Sequence, residues 1–459
     1  MSNINLELRL FLRSKLAVIA IIALFVLASL AVWSGMTAAA AQKDALMRIS
    51  AAHQQDVAAV MAKYKQGGDA GYAAYYTFHL TWDEPSPLAF VAFGQRDLQP
   101  YALRIRMLGL HSQLYESETF NPELALAGRF DFAFVLVYLV PLFVIALMHD
   151  WATAERETGR LRLLMSMPMQ TGGLWWRRAV LRYALILAAL VLPLVVGFML
   201  TGTSAVHGAG VLMVTVLYTA FWVALALMAG AIARSSASAA AMLLGLFVFL
   251  TLLLPTLANA AITRLIPVGK GVELAMAQRE EVHQGWDLPK PATMEKFFRN
   301  HPEWSNTSPV TGRFHWKWYY AMHQVGDEAV EQQVAQYRRS MLQRDEWTHR
   351  AAWLLPAAAA QVALHRLADT DLHAQLAYWD QIAQFHTRLR RFYYPYVFLE
   401  RPFGPRDFRL LPAYQSREPT GALPFGLVGA LALAVLGIGA CGLIAVRRVP
   451  LAAGEEDVA

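Results

Sequence analysis

Between residues 149 and 182 the chain places Glu155 and Glu157 two apart, then Gly159, Arg160, Leu161, Arg162, Leu164, Met165 and Pro168. A helix starting near Trp151 sets both carboxylates in its early turns, where acids suit the helix dipole. Leu161, Leu164 and Met165 then form one apolar stripe, Arg160 and Arg162 a basic rim, and Pro168 ends the helix. Gly172 and Gly173 read as a turn, and Trp175, Trp176, Arg177 and Arg178 as re-entry at the lipid headgroups. The chemistry open to this pattern is recognition. A short charged helix with an apolar ridge fits a groove on another protein; its plainer reading is an interfacial connector.

Catalytic patterns are missing elsewhere. Gly269-Lys270-Gly271 lacks the upstream Gly and the following hydroxyl of a phosphate-cradling loop, and H-E-x-x-H, paired Cys ligands and G-x-S-x-G do not occur. Eleven of the thirteen His fall in residues 42–130 and 264–418, but His365 and His373 lie eight apart with no Cys or dense carboxylate cluster nearby. They read as ordinary surface and core histidines. Cys441 is alone and forms no internal bridge. The expectation is no catalytic residue, no metal and no cofactor on this chain.

The elements that hold the 149–182 loop follow from composition. Of 459 residues, 56% are hydrophobic and 16% charged, against roughly 25% charged in soluble domains. The deficit is concentrated in six uncharged runs, Leu16–Ala41, Phe132–Met148, Tyr183–Val206, Gly208–Ala233, Ser235–Thr263 and Pro419–Val446. A helix needs roughly 20 such residues to cross hydrocarbon. This pattern excludes an ordinary soluble enzyme, a disordered chain and a disulfide scaffold. The fold class expected is an all-α polytopic membrane protein with six transmembrane helices. The first run, which ends in Thr37-Ala38-Ala39-Ala40-Ala41, is also compatible with a cleaved signal peptide, but its length favours a retained anchor.

Arg9, Arg13, Lys15, the six Arg of the 149–182 loop, Arg234, Arg447 and Arg448 all share one side if both termini are cytoplasmic. That side carries a net +5 and the other segments +2, so the pI near 9.3 records orientation and no nucleic-acid partner is expected. The organisation is then a lead-in helix and span one (1–41), a first extracytoplasmic segment (42–130), spans two to five with the loop (131–263), a second extracytoplasmic segment (264–418), and span six with a tail (419–459). The outer part reads as mainly helical. Asp327–Gln343 and Asp371–Phe392 are amphipathic, and Ala351–Leu367, interrupted by Pro356 and flanked by Trp347 and Trp353, favours the membrane interface over a buried helix. Residues 4–12 are ambiguous between helix and strand. Within the spans no acid or base is suited to a proton relay; Thr215, Thr219, Thr251 and Asn259 read as packing contacts or, failing that, sodium ligands. Pro141, Pro193 and Pro255 mark kinks or tolerated packing irregularities.

E-x-E-x-G-x-L followed by Pro, placed just after the second span, resembles the signature of type-2 ABC permeases, the membrane subunits of exporter-like ABC transporters. Glu155, Glu157, Gly159, Leu161, Leu164 and Pro168 are its ATPase-coupling candidates here. The resemblance implies a coupling helix that contacts a cytoplasmic ABC ATPase dimer, with ATP and Mg bound on that partner. It also implies an amphipathic lead-in helix, here Glu7-Leu8-Arg9 to Lys15, and a second permease copy or paralogue in a bacterial inner membrane, with lipid around it. The large outer insert resembles one branch of that family, in which it has no assigned chemistry; the expectation for this chain is that it recognises, releases or hands over the substrate, or binds a periplasmic partner. Two other readings stay open: an ATP-driven mechanotransmission machine acting on a periplasmic partner without transport, and a membrane-anchored periplasmic enzyme.

Overall fold

Span one is one helix, Lys15–Lys63, whose buried residues Leu24, Ala28, Ala31, Val32 and Gly35 follow the helical repeat. The computed structural model describes residues 3–64, 68–115, 128–161, 171–419 and 421–455. Among these, six helices are long and apolar enough to cross a membrane: Lys15–Lys63, Phe132–Glu157, Trp175–Thr201, Ala205–Ile232, Ser236–Leu265 and Phe425–Ala445. They coincide with the six uncharged runs. The chain is an all-α multi-pass membrane protein whose strands, among the described residues, are one antiparallel pair, β1 His79–Trp82 and β2 Ala102–Ile105.

Span one does not stop where its apolar composition does. It runs 22 residues past Ala41, because 42–63 contains no Gly or Pro and is rich in Ala, Gln, Lys and Met. The lead-in segment Asn3–Arg13 is a helix, which resolves its ambiguous pattern, and Ser14 separates it from span one in an extended conformation.

Span four, Ala205–Ile232, lies at the centre, with Val211, Val214, Tyr218, Phe221, Trp222 and Ala226 buried. Tyr218 performs a specific task there. Span two contains a π-helical turn, Val135–Leu139, just before Pro141. Proline has no N–H, so the carbonyl four residues back has no helical donor. That carbonyl belongs to Val137, and the Tyr218 hydroxyl donates to it at 3.0 Å. Span five has a second π-helical turn, Val248–Leu253, immediately before Pro255. Pro193 is carried inside the helix Thr171–Thr201.

The two segments outside the bundle share one core. Tyr64, Ile105, Leu110 and Tyr115 from the first pack with Phe297, Trp318, Tyr337, Trp379 and Phe398 from the second. The Asp327 carboxylate fastens them, accepting from the backbone N–H groups of Leu110 (2.8 Å) and His111 (3.2 Å) and from Arg390 Nη2 (2.7 Å). Burial holds several histidines of this domain neutral: His79 is lowered to about 3 and His323 to about 4.

Three expectations are corrected. The 327–343 stretch is not one helix, since Trp316–Ala329 ends at Val330 and Glu331–Ala352 begins anew; its apolar face is nevertheless buried at Val334, Tyr337 and Met341. Residues 351–367 are not an interfacial helix. Pro356 starts the helix Pro356–Leu367 instead of interrupting one, and Ala357, Ala358, Ala359, Ala360 and Ala363 are buried within the same core as the membrane spans. Small side chains explain the fit, because they let backbones approach closely: a Cβ on Gly421 would stand 2.4 Å from the Leu367 carbonyl, and one on Gly210 2.8 Å from the Leu367 side chain. Finally, Gly172 and Gly173 do not form a turn but belong to the helix Thr171–Thr201.

Candidate functional site

The membrane helix of span two ends at Met148, and the last part of the stretch that runs to Glu157 is a separate short helix, Thr153–Glu157, closed at Gly159. Gly159 has φ +68°, the left-handed conformation glycine adopts without a Cβ clash, and its N–H donates to Arg156 O at 3.1 Å. The single helix expected from Trp151 to Pro168 is therefore interrupted at Thr158-Gly159, and helix resumes at Arg160-Leu161. Leu164, Met165 and Pro168, with Arg162, lie outside the described residues.

Each described residue of the pattern is anchored to a different element. Trp151 is buried, donates from Nε1 to Ala226 O of span four at 3.1 Å, and meets Trp175 edge-on at 5.4 Å. A Cβ on Gly230 would sit 2.2 Å from that indole nitrogen, so span four needs its glycine there. Leu161 is buried beside Trp151, Ala152 and Trp175, with Leu227 and Ala231 packed against them.

Glu155 is not a free carboxylate. Its side chain is 14% exposed and binds Arg178 Nη1 at 3.1 Å and Arg160 Nε at 3.0 Å. Arg178 in turn reaches Glu7 of the lead-in helix at 3.2 Å and lies over the Trp175 ring at 5.4 Å. Glu7, Arg178 and Glu155 thus connect lead-in helix, span three and loop.

Glu157 is exposed but has both oxygens engaged. One accepts from the Ser236 backbone N–H and the other from the Ser236 hydroxyl, both at 2.9 Å. Ser236 is the first residue of the span-five helix, so Glu157 caps that helix from 79 residues away, aided by Thr153 Oγ1 at 2.9 Å from Ser236 Oγ. Arg156 completes the junction by donating to the carbonyls of Ala231 and Ala233 at the end of span four.

The sequence pattern located the glutamates, Gly159 and Leu161, and the structure brings these four together at one junction. It missed Ser236, Glu7, Arg178 and Trp151 as their partners. Ser235-x-x-Ser238 is a legible N-cap signal, and its own reciprocal box is formed. Nothing in the sequence links Ser236 to a carboxylate on another loop.

This arrangement joins one exposed tip to four other elements. Glu157, Thr158, Gly159 and Arg160 form an exposed tip, while the bonds behind them reach the lead-in helix and spans three, four and five. Among the described residues, no three His, Cys, Asp or Glu side chains gather as metal ligands. A sequence model of the ABC-2 family of transporter proteins matches residues 1–303, and a domain of unknown function, DUF3526, matches residues 272–417. No curated protein and no solved structure matches the chain.

Proposed function

The chain belongs to the ABC-2 family of transporter membrane proteins, as the permease part of an ABC transporter, and from that premise we propose that the tip at 157–160 is pressed by a separate cytoplasmic ATPase. The permease then moves a substrate across a bacterial inner membrane, paired with a second copy or a paralogue, while ATP and Mg are held by the partner. The observation supporting this reading is the Glu157–Ser236 cap. It ties the exposed tip directly to the start of span five, so a push on the tip is delivered to a membrane helix.

The test is Glu157→Arg, and replacement of 155–161 by Gly and Ser, each co-expressed with the ATPase. Both variants are expected to insert normally and to lose stimulation of ATP hydrolysis. Unchanged co-purification and stimulation in both would overturn the assignment.

One observation favours a second reading, mechanical transmission without transport. The span-one helix continues without a break from the bundle into the outer domain. ATP-dependent flux into inverted vesicles supports transport; movement of the outer domain under ATP without flux supports transmission.

A further inference from the structure

A cavity of about 840 Å³ lies where Ser14 bends the lead-in helix away from span one, bounded by that helix, the start of span one and the adjoining ends of spans two and three. Its size falls in the range of about 300–1,000 Å³ common to small-molecule sites. Its lining is divided in two. Leu16, Ala17, Ala20 and Leu181 make an apolar part, and Asp150, Arg160 and Arg182 a charged part near the loop. Leu16, which lines the cavity at the start of span one, is 82% exposed, as a lipid-facing side chain is.

The charges decide which ligand suits it. Three carboxylates (Glu7, Asp150, Glu155) face three guanidinium groups (Arg160, Arg178, Arg182), so the site is balanced and not an anion trap. Arg178 is already held between Glu7 and Glu155. Arg182 donates to Leu147 O and pairs with Asp150 at 3.2 Å, and the Asp150 and Arg160 side chains are 43% and 62% exposed. A ligand carrying one phosphate and one ammonium could enter between them, its phosphate to Arg182 and to Arg160, which also holds Glu155 at 3.0 Å, and its ammonium to Asp150, so that the site stays neutral.

We propose that this cavity is a binding site for a zwitterionic glycerophospholipid of the phosphatidylethanolamine type. Its headgroup sits between Asp150 and the two arginines, and an acyl chain runs along Leu16, Ala17, Ala20 and Leu181. The bound lipid props the lead-in helix against the loop, next to the Glu7–Arg178–Glu155 chain. The proposal shares Arg160 with the exposed tip but does not rest on the ATPase contact, since it concerns the permease alone in a membrane.

The test uses the full-length permease without ATPase, in nanodiscs of equal phosphatidylethanolamine and phosphatidylglycerol, released into mild detergent for native mass spectrometry. Phosphatidylethanolamine is expected to remain bound preferentially. Ala20→Trp, which fills the apolar part, is expected to abolish retention. Asp150→Asn is expected to keep lipid bound but lose the preference by about tenfold, the size of one charge-assisted hydrogen bond. Equal retention of the two lipids by the unaltered chain, or unchanged retention in Ala20→Trp, would overturn the proposal. If Ala20→Trp fails to fold, an unchanged preference in Asp150→Asn does so by itself.

Discussion

Glu157 is exposed, yet its two oxygens are spent on one serine. The E-x-E spacing looked like a surface for a partner, and the geometry gives each glutamate a different duty: Glu155 clamps the lead-in helix and span three through Arg178, Glu157 caps span five. Glu157→Gln keeps an acceptor for the Ser236 N–H and is expected to cost little, whereas Glu157→Ala loses a cap worth about 1 kcal/mol. Thermal unfolding of the detergent-solubilised protein measures the difference. A second residue-scale prediction concerns Asp345, buried outside the span bundle between His349 and His373, whose ring nitrogens lie 3.3 and 3.1 Å from its Oδ2. Burial alone would raise the Asp345 carboxyl, but hydrogen bonds from both imidazoles outweigh it and hold it well below the carboxylate range. The hydrogen bond to Asp345 raises His373; for His349, burial and the neighbouring Arg366 oppose the rise that Asp345 imposes. Groups raised when folded stabilise fully below the ordinary value of 6.5 and lose that contribution as pH rises through their folded values. The depressed Asp345 stabilises above 3.8 and fails only in stronger acid. The cluster should therefore stabilise most between about pH 4 and 6.5. Melting temperature against pH should fall above that window in the native chain and fall less in His373→Gln.

At the scale of elements, the clearest device is the repair of Pro141 by Tyr218. Tyr218→Phe leaves the Val137 carbonyl without its donor in a place water cannot reach, at a cost of about 1–3 kcal/mol. Pro141→Ala restores the missing N–H, so the double variant should be less destabilised than the two single changes added together; a thermodynamic cycle of melting data tests this. The helix Pro356–Leu367 gives the other case. Ala360→Leu puts three extra carbons into a fully buried contact and is expected to cost about 1–3 kcal/mol by overpacking. The six spans were legible because hydrocarbon imposes a long uncharged run. The 356–367 helix was not, because twelve residues are too few for a span and alanine carries little periodic signal. Its burial depends on glycines at 210 and 421, far away in sequence. Likewise the amphipathic faces at 334–341 and 372–385 could be read from periodicity, while the break at Val330 could not.

Over the whole molecule, the two segments outside the bundle act as a single domain. The family match to residues 272–417 takes in only the second of them, yet Asp327 and Arg390 there hold Leu110 and His111 from the first. This union was beyond sequence reading, because the interlocking residues are more than two hundred positions apart. The same holds for the junction at Glu155–Leu161, where the motif was visible and its anchor at Ser236 was not. A prediction at this scale concerns how span one enters that domain. One alanine inserted after Ala41 turns everything beyond it by about 100° relative to the bundle. Because the domain is also held through Pro356–Leu367, the insertion should destabilise it strongly. Two full helical turns inserted at the same point should be tolerated better, with limited proteolysis of the domain as the measurement.

The unbroken helix Lys15–Lys63 is about 73 Å long, more than twice the roughly 30 Å of hydrocarbon it has to cross. A rod of that length multiplies displacement. A tilt of about 10° about residue 28 would swing its far end, 35 residues on, through about 9 Å. The near end at Lys15, 13 residues the other way, would move only about 3 Å, so the far end travels nearly three times as far. The ratio of those two displacements is set by where along one helix the pivot falls.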